Sequence, residues 1–246
     1  MSLANCRVVL VEPRIAANVG ATARVMHNFG LRDLVLVNPE ADPGDREARK
    51  LSTQGEEVLD RTRVVGDLGE AVADCVFVAG TSARSGGLVR RQSVAAPEEI
   101  MPRLAEALAR GPAALVFGRE ANGLTDAEVT RCHYLIHIPT GAEYAALNLA
   151  QAVAISLYEL HRADATPRAL SSPQPATFAG QERMFEALRA ALSDIHFLYG
   201  DKADALMHGL RHLIGRAQPT DMEVDLLLGL ARQIRWFVNK KTASNA

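Results

Sequence analysis

The segment Ala113-Ala-Leu-Val-Phe-Gly-Arg-Glu-Ala-Asn-Gly-Leu-Thr-Asp126 predicts a strand, a polar loop and the start of a helix. Its first five residues are apolar, which is typical of a buried strand. Thr125 and, three residues later, Glu128 form the pattern of a capping box at a helix start. In an open α/β sheet, ligands bind at such junctions because they lie at the carboxyl ends of strands. Taken alone, Arg119 and Glu120 are better explained as a surface salt bridge.

Strand and helix patterns alternate on both sides of this segment. Strands are predicted at residues 6–11, 34–37, 64–65, 75–79 and 134–138, and helices at 17–29, 45–59, 68–73, 97–110 and 145–162. The helix at 45–59 is expected to be broken near Gly55. Residues 85–96 contain two adjacent glycines and predict a loop. The alternation indicates parallel strands joined by right-handed crossovers, with helices on both faces of the sheet. The predicted fold class is therefore α/β with a parallel sheet.

The composition changes after residue 162. Prolines 167, 173 and 175 indicate a linker. Strand patterns then disappear, and helices are predicted at 182–199, 201–214 and 220–238, the last with a capping box of Thr220 and Glu223. We predict an α/β domain at 1–162, a linker at 163–180 and a small all-α domain at 181–246. Because the last part is at the small end for an independent core, we expect it to dock on the first domain or on a partner subunit.

The composition of the 246 residues limits the classes of function. A net charge of −2 does not indicate a nucleic-acid binder. The three cysteines, Cys6, Cys75 and Cys132, lie far apart without metal-ligand spacing, which argues against a zinc site and a disulfide framework and fits a reducing cytoplasm. No signal-peptide or membrane-span pattern occurs, so a cytoplasmic protein without membrane contact is expected.

Other motifs exclude several enzyme classes or weigh against a metal. The sequence has no Walker-type loop, GxGxxG or GxSxG, so nucleotide hydrolases, Rossmann dehydrogenases and serine hydrolases have no support. His208 and His212 have a spacing that suits a metal on one helix face. Without the glutamate of an HExxH motif, exposed or packing histidines are the better explanation. No metal site is predicted.

Two further segments accompany the opening one. They are Val11-Glu-Pro-Arg-Ile-Ala-Ala-Asn-Val-Gly-Ala-Thr-Ala-Arg24 and Ile138-Pro-Thr-Gly-Ala-Glu-Tyr-Ala-Ala-Leu-Asn-Leu-Ala150. In this order and spacing, the three segments resemble the SPOUT class of methyltransferases, in its tRNA/rRNA 2′-O-methyltransferase branch (the SpoU/TrmH family) and most of all the TrmJ type. The resemblance covers residues 5 to about 162. It implies a trefoil knot at roughly 113–162 and a homodimer with each active site near the subunit interface.

The same resemblance implies a reaction and its participants. The expected reaction is S-adenosylmethionine-dependent 2′-O-methylation of a ribose in RNA, most of all in the anticodon loop of tRNA, without a metal. The alternatives are an rRNA 2′-O-methyltransferase, or a degenerate relative that binds RNA or cofactor without catalysis.

Roles for individual residues also follow from the resemblance. Asn18 and Arg24 match the first motif, with the arginine at the methyl-accepting end. Because a guanidinium stays protonated, we expect Arg24 to orient the ribose and its phosphate rather than to act as a base. In the second motif, Gly118 is expected to let the backbone approach the adenosine closely, and Glu120 to place Arg24 or an RNA group. The predicted catalytic residues are Arg24, Asn18, Glu120 and Asn148. The predicted cofactor-binding residues are Thr81, Ser82, Ala83, Gly118, Ile138, Ala145, Ala146 and Leu147.

The third motif departs from the family pattern. Relatives usually have serine where this chain has Ala146, and often also at Ala145. The missing hydroxyl removes a polar group near the reacting ribose, and it motivates the degenerate-relative alternative. The other explanation is that alanine favours the helix predicted there.

Two groups of cations have a second interpretation as RNA contacts. Arg84, Arg90 and Arg91 lie in the predicted loop, where solvated side chains are the more common case. Near the C-terminus, Arg232, Arg235, Lys240 and Lys241 either favour the last helical turn or hold RNA.

Overall fold

The computed structural model describes residues 3–83, 94–141, 143, 145–164 and 175–244. Arg84, Arg90 and Arg91 lie outside these residues, and so does the middle of the predicted linker, 165–174.

A parallel sheet forms the centre of the first part of the chain. Its strands are β1 (Cys6–Val11), β2 (Asp33–Val37), β3 (Arg63–Val65), β4 (Phe77–Thr81), β5 (Val94–Ala95), β6 (Ala113–Phe117) and β7 (Tyr134–Ile136). Within the described residues these seven strands form one sheet in the order β3-β2-β1-β6-β4-β7-β5. Every neighbouring pair is parallel. The predicted parallel α/β architecture is confirmed, while the knot stays a prediction.

Helices cover both faces of the sheet, as predicted. They are α1 (Ala16–Asn28), α2 (Arg46–Ser52), α3 (Glu56–Asp60), α4 (Leu68–Val72), α5 (Pro97–Ala107), α6 (Asp126–Val129), α7 (Leu149–Asp164), α8 (Phe178–Asp194), α9 (Ala203–Ala217) and α10 (Asp221–Ser244). Alternate residues of a strand point to opposite faces. Accordingly, Val8 and Leu10 of β1 enter an apolar cluster with α1, α5 and α7, while Val9 and Val11 enter a cluster with α4 and α6.

The loop prediction for residues 85–96 is wrong at its end. Val94 pairs in parallel with Leu135 of β7, and Ala95 pairs with Ile136. A strand this short carries no periodicity of its own. Its pairing with a strand far along the chain decides its conformation.

The predicted start of α7 at residue 145 is also wrong, because the helix begins at Leu149. Asn148 caps it: its side-chain oxygen accepts from the backbone N–H of Ala150 at 2.9 Å, and its carbonyl accepts from Ala152 at 2.9 Å. Asparagine is a preferred N-cap residue. Since Ala146 precedes the helix, helix propensity does not explain the alanine there.

Smaller differences concern element ends. The strand predicted at 75–79 is β4, shifted to Phe77–Thr81, and β7 ends at Ile136 rather than at residue 138. The predicted helix at 45–59 divides into α2 and α3, with a 3-10 turn ending at Gly55 between them, as the glycine indicates.

The C-terminal helices pack around an apolar cluster of their own, which includes Met184, Leu188 and Val224. The helix predicted at 182–199 begins at Phe178, and that predicted at 201–214 is α9, Ala203–Ala217. The capping box that starts α10 is present. The backbone N–H of Thr220 donates to the Glu223 carboxylate at 2.7 Å, and the backbone N–H of Glu223 donates to the Thr220 hydroxyl at 3.3 Å.

These helices dock on the sheet. The backbone N–H of Phe178 donates to the carbonyl of Cys75 at 2.7 Å, and the Tyr134 hydroxyl donates to the carbonyl of Arg216 at 3.0 Å. His208 and His212, both buried, contact each other with ring centroids 4.2 Å apart. In the described residues, no three His, Cys, Asp or Glu side chains come together as a metal site would require. A search of the same residues finds no helix with the length and apolarity that a membrane span requires.

Candidate functional site

A cleft of about 350 Å³ lies at the carboxyl ends of β4, β6 and β7. Thr81, Phe117 and Ile136 end these strands and line it. The loops that follow the strands supply the other walls. Every residue predicted to bind the cofactor lines the cleft, namely Thr81, Ser82, Ala83, Gly118, Ile138, Ala145, Ala146 and Leu147.

The loop after β6 folds back on itself. The backbone N–H of Gly123 donates to the carbonyl of Arg119 at 2.8 Å, and Gly123 has a φ of +68°. A Cβ atom on Gly118 would lie 2.1 Å from the carbonyl carbon of Gly123 and 2.2 Å from the nitrogen of Leu124. The loop's own backbone therefore requires glycine at Gly118, a reason that differs from the expected approach of an adenosine.

Arg119 fastens this loop to its neighbours. Its Nε donates to Glu12, just after β1, at 2.7 Å, and its two Nη groups donate to Glu128 of α6 at 3.0 Å each. Hydrogen bonds to Glu12 and Glu128 raise the pKa of Arg119. The explanation of Arg119 and Glu120 as a mutual salt bridge is wrong, because each has other partners.

Glu120 anchors the start of α1. Its carboxylate accepts from the side-chain amide of Asn18 at 2.9 Å and from the backbone N–H groups of Arg14 at 3.1 Å and Ile15 at 3.2 Å. Burial raises the pKa of Glu120, but the hydrogen bonds from Asn18 and the backbone outweigh it and hold this pKa below its ordinary value. The carboxylate is therefore ionised at neutral pH.

Asn18 and Asn148 extend the contact to α7. The side-chain amide of Asn148 donates to the side-chain oxygen of Asn18 at 2.9 Å. Glu120, Asn18 and Asn148 thus form one chain of hydrogen bonds that ties the loop after β6 to the starts of α1 and α7. Both polar atoms of the Asn18 side chain are used inside this chain, which favours a positioning role.

Arg24 stands apart from these residues. It is exposed on α1, beyond Asn18, and it does not line the cleft. Among the described residues no hydrogen bond or ion pair engages its guanidinium, and the partners of Glu120 are other groups. The expectation that Glu120 places Arg24 is therefore not met, and the Arg24 side chain is available to an external ligand.

The residues of the cleft fit S-adenosylmethionine. The volume is at the small end of the ~300–1,000 Å³ common for ligand sites. Phe117, Ile136 and Ile138 offer an apolar surface for a purine ring, and Ala145 and Ala146 leave room beside it. The ionised Glu120 at the edge suits a ligand that carries a positive sulfonium.

The sequence does not predict the contacts of two residues that hold this site, Glu12 and Glu128. The sequence shows Glu128 only as half of a capping box, and Glu12 as a member of the first family segment to which no role is assigned. Their shared contact with Arg119 depends on the distance between β1 and α6 in the folded chain.

The strand order and the cleft at the strand ends define a parallel α/β protein with a ligand site at one edge of its sheet. Comparison with known families gives two matches. The model of the SpoU rRNA methylase family matches residues 5–158, and the model of the TrmJ C-terminal domain matches residues 180–246.

Similar proteins match over almost the whole chain. The tRNA (cytidine/uridine-2′-O-)-methyltransferase TrmJ of Photorhabdus laumondii is 36% identical over 97% of this chain and 100% of its own length. The enzyme of the same name from Sodalis glossinidius is 38% identical over 94% of this chain and 92% of its own. The crystal structure of TrmJ from Z. mobilis ZM4 superposes with a TM-score of 0.79 at 30% identity, covering 93% of this chain and 98% of that one. The chain therefore belongs to the SpoU methylase family and, within it, to the TrmJ type, which confirms the resemblance seen in the three motifs.

Proposed function

We propose that this protein transfers a methyl group from S-adenosylmethionine to the 2′-hydroxyl of a cytidine or uridine ribose in the anticodon loop of tRNA. The observation that carries the proposal is the cleft, whose walls contain every residue that the family motifs assign to the cofactor. The similarity of the tRNA-methylating relatives extends through the C-terminal helices, which supports tRNA as the substrate.

The cofactor supplies an activated methyl group, and the chain's own residues provide the geometry. Holding two reactants in line can contribute up to about 7–11 kcal/mol to lowering a barrier. The chain from Glu120 through Asn18 to Asn148 fixes the three segments around the cleft. Because Glu120 already accepts three hydrogen bonds, its task is positioning and not proton removal.

Arg24 is the residue to which we assign the RNA. A guanidinium binds phosphate through paired hydrogen bonds, and Arg24 has its donors available. Arg24 does not line the cleft of its own chain. It therefore contacts the RNA either at the mouth of that cleft or at the cleft of a second copy.

A homodimer is part of the proposal. Ile155 and Tyr158 are 36% and 52% exposed on α7, the helix whose start carries Asn148, and Ile15 is 47% exposed at the start of α1. Large apolar side chains exposed on helices beside a site can mark an interface. A second copy on this surface would lie beside the cleft.

The domain organisation is proposed with the function. Residues 1–162 carry the methyl transfer, 163–180 connect, and 181–246 help to hold tRNA. Deletion of the chain after residue 163 is expected to weaken tRNA methylation more than cofactor binding. Equal loss of both would mean that the helices support folding instead.

An rRNA substrate is the alternative, since the family model that matches residues 5–158 is described as an rRNA methylase. The test offers unmodified tRNA and rRNA together with labelled S-adenosylmethionine, and the 2′-O-methyl positions are then mapped. Label in one anticodon-loop ribose supports the proposal, and label in rRNA alone contradicts it.

The degenerate-relative alternative has its own test. A wild type that binds cofactor but methylates neither RNA, together with an active Ala146→Ser variant, would show a dormant enzyme. Similar turnover in both proteins would show that the reaction does not need the serine hydroxyl.

A further inference from the structure

Helix α10 is apolar on two opposite faces. Val224 and Ala231 on one face are 3% and 1% exposed, and this face packs in the C-terminal cluster beside α8. Met222, Leu226 and Leu230 on the other face are 83%, 68% and 49% exposed. Exposed apolar side chains that lie together on one surface are typical of an interaction site. No other part of the described chain covers this second face of α10, which makes it a candidate interaction surface.

The exposed apolar side chains lie along one face of the helix, interrupted by the exposed Gln233. Its apolar members are Met222, Leu226, Leu230 and Phe237, and this set is called the outer stripe below. Helical spacing places the four side chains on one face, and Phe237 is 57% exposed. Gly229 lies in the middle, and a Cβ atom there would meet nothing within 4 Å. The outer stripe thus has a shallow notch at its centre, next to the side chain of Leu230.

The charges along α10 are divided between its ends. Asp221, Glu223 and Asp225 occupy the first turns, and the second half carries Arg232, Arg235, Lys240 and Lys241. Arg235 already pairs with Asp194 of α8 at 3.0 Å, so the other three cations are the ones considered for a second copy. Two copies of this helix side by side in opposite directions would bring acidic residues opposite basic ones. Two copies in the same direction would bring like charges together, which is destabilising.

An RNA is the other partner to weigh. Trp236 is exposed with the Lys240 ammonium 5.0 Å from its ring centre, a combination that can stack on bases. However, phosphate groups attract only cations, and the acidic first turns would repel them. The division of charge favours a second α10 over a nucleic acid.

We propose that the outer stripe of α10 binds the same stripe of a second copy of this chain, in antiparallel orientation about a two-fold axis near Gly229. In this arrangement Met222 of one copy faces Phe237 of the other. Leu230 of each copy fills the notch at Gly229 of the other. The contact is self-complementary, as a two-fold interface requires.

This contact is distinct from the surface around Ile155 and Tyr158 on α7. If both contacts join the same two chains, the α10 contact strengthens a dimer. If they join different chains, it assembles dimers into larger closed oligomers.

Disulfide cross-linking tests the orientation. Cys6, Cys75 and Cys132 are 0%, 0% and 3% exposed, so an introduced surface cysteine reports without interference. Full-length Met222→Cys and Phe237→Cys proteins are mixed under mild oxidation and analysed on a non-reducing gel. The expected result is efficient linkage between the two different variants and little linkage of either variant with itself. Gly229→Cys, near the axis, is expected to link with itself.

The matched control is Leu213→Cys, which is on α9 and outside the outer stripe, where the leucine is 60% exposed. The proposal is overturned if Met222→Cys links best with itself, which indicates parallel helices. It is also overturned if all variants link no faster than Leu213→Cys.

Sedimentation equilibrium of the full chain measures the self-association constant and so tests the strength of the α10 contact. The double variant Leu226→Glu, Leu230→Glu changes exposed side chains only, and its circular dichroism spectrum serves as a check of folding. We expect its self-association constant to fall at least tenfold, while Leu213→Glu associates like the wild type. Unchanged self-association contradicts the proposal, and unchanged self-association with weaker tRNA binding would assign the outer stripe to RNA.

Discussion

Glu120 is the residue on which the geometry of the cleft depends. It accepts hydrogen bonds from Asn18 and from two backbone N–H groups before and at the start of α1. These donors hold its pKa low despite burial, and they leave the carboxylate occupied. Its role follows from this occupancy: the residue joins α1 to the loop after β6 and keeps the cleft wall in place.

Replacement of Glu120 by glutamine is expected to disturb this joint. In glutamine, an NH₂ group replaces one of the two carboxylate oxygens that accept hydrogen bonds. At least one N–H donor that now bonds to Glu120 would then lose its acceptor, and an unsatisfied donor costs about 1–3 kcal/mol. We expect the free energy of unfolding of Glu120→Gln to fall by about that amount, and the Kd for S-adenosylmethionine to rise. Urea unfolding and calorimetry measure the two quantities.

Glu40→Gln is the control, because the Glu40 side chain is 57% exposed and forms a surface ion pair with Arg14. It is expected to behave like the wild type in both measurements. If Glu120→Gln does so as well, the anchoring role of Glu120 is wrong.

At the scale of elements, the loop between β6 and α6 forms one side of the cleft and is held in place by contacts within the protein. Its turn is closed by Gly123, and the guanidinium of Arg119 ties it to Glu12 and Glu128 on two sides. Because Arg119 is satisfied within the protein, it adds rigidity rather than a group for the ligand. A wall held in this way spares the ligand the cost of ordering the loop.

The substitution Gly118→Ala tests this wall. The added Cβ would overlap the backbone of Gly123 and Leu124, so the loop must move. We expect at least a tenfold loss of S-adenosylmethionine affinity, measured by calorimetry. Gly141→Ala is the matched control, because its Cβ would meet nothing within 4 Å. Equal affinities of the two variants would contradict the account of Gly118.

The sequence predicts those elements whose signals are local. The capping boxes at Thr125 and Thr220 and the buried strand β6 are present as expected. β5 was missed because two residues form a strand only through pairing with β7. The family motifs predict the residues that line the cleft. The contacts of Arg119 join segments that are distant in the sequence, so no local pattern predicts them.

At the scale of the whole molecule, buried histidines lie where the C-terminal helices dock. His133 precedes β7, and its Nδ1 accepts from the backbone N–H of Val78 at 3.2 Å. Burial lowers the pKa of His133 to about 4. Burial, followed by the charges of His208, Arg216 and His133, lowers the pKa of His212 on α9 to about 4.

These values make the docked structure sensitive to acid. Between about pH 6.5 and about 4, an unfolded histidine binds a proton that the folded one does not. The stability that the neutral histidines contribute is fully present above pH ~6.5 and is lost as the pH falls toward 4. We expect the Tm of the wild type to fall between pH 7 and pH 5.

His212→Gln is expected to show a smaller fall over the same interval, because it removes one of the depressed groups. Asn239→Gln, at an exposed position of α10, changes no titratable group and is expected to keep the wild-type slope. Differential scanning calorimetry at several pH values makes the measurement. Identical slopes for wild type and His212→Gln would contradict the assignment.

Methyl transfer from labelled S-adenosylmethionine to unmodified tRNA, measured beside cofactor affinity, tests the proposed reaction most directly. The proteins are the wild type, Arg24→Ala and, as control, Arg32→Ala, whose side chain is 55% exposed and pairs with Glu57. We expect label at one anticodon-loop ribose in the wild type and in Arg32→Ala. In Arg24→Ala we expect about 10²–10³-fold slower transfer, the usual effect of removing one transition-state donor, with cofactor affinity unchanged. Near-normal transfer by Arg24→Ala would contradict the role of Arg24. If the wild type binds the cofactor but transfers no methyl group to tRNA, the proposed reaction on tRNA is wrong.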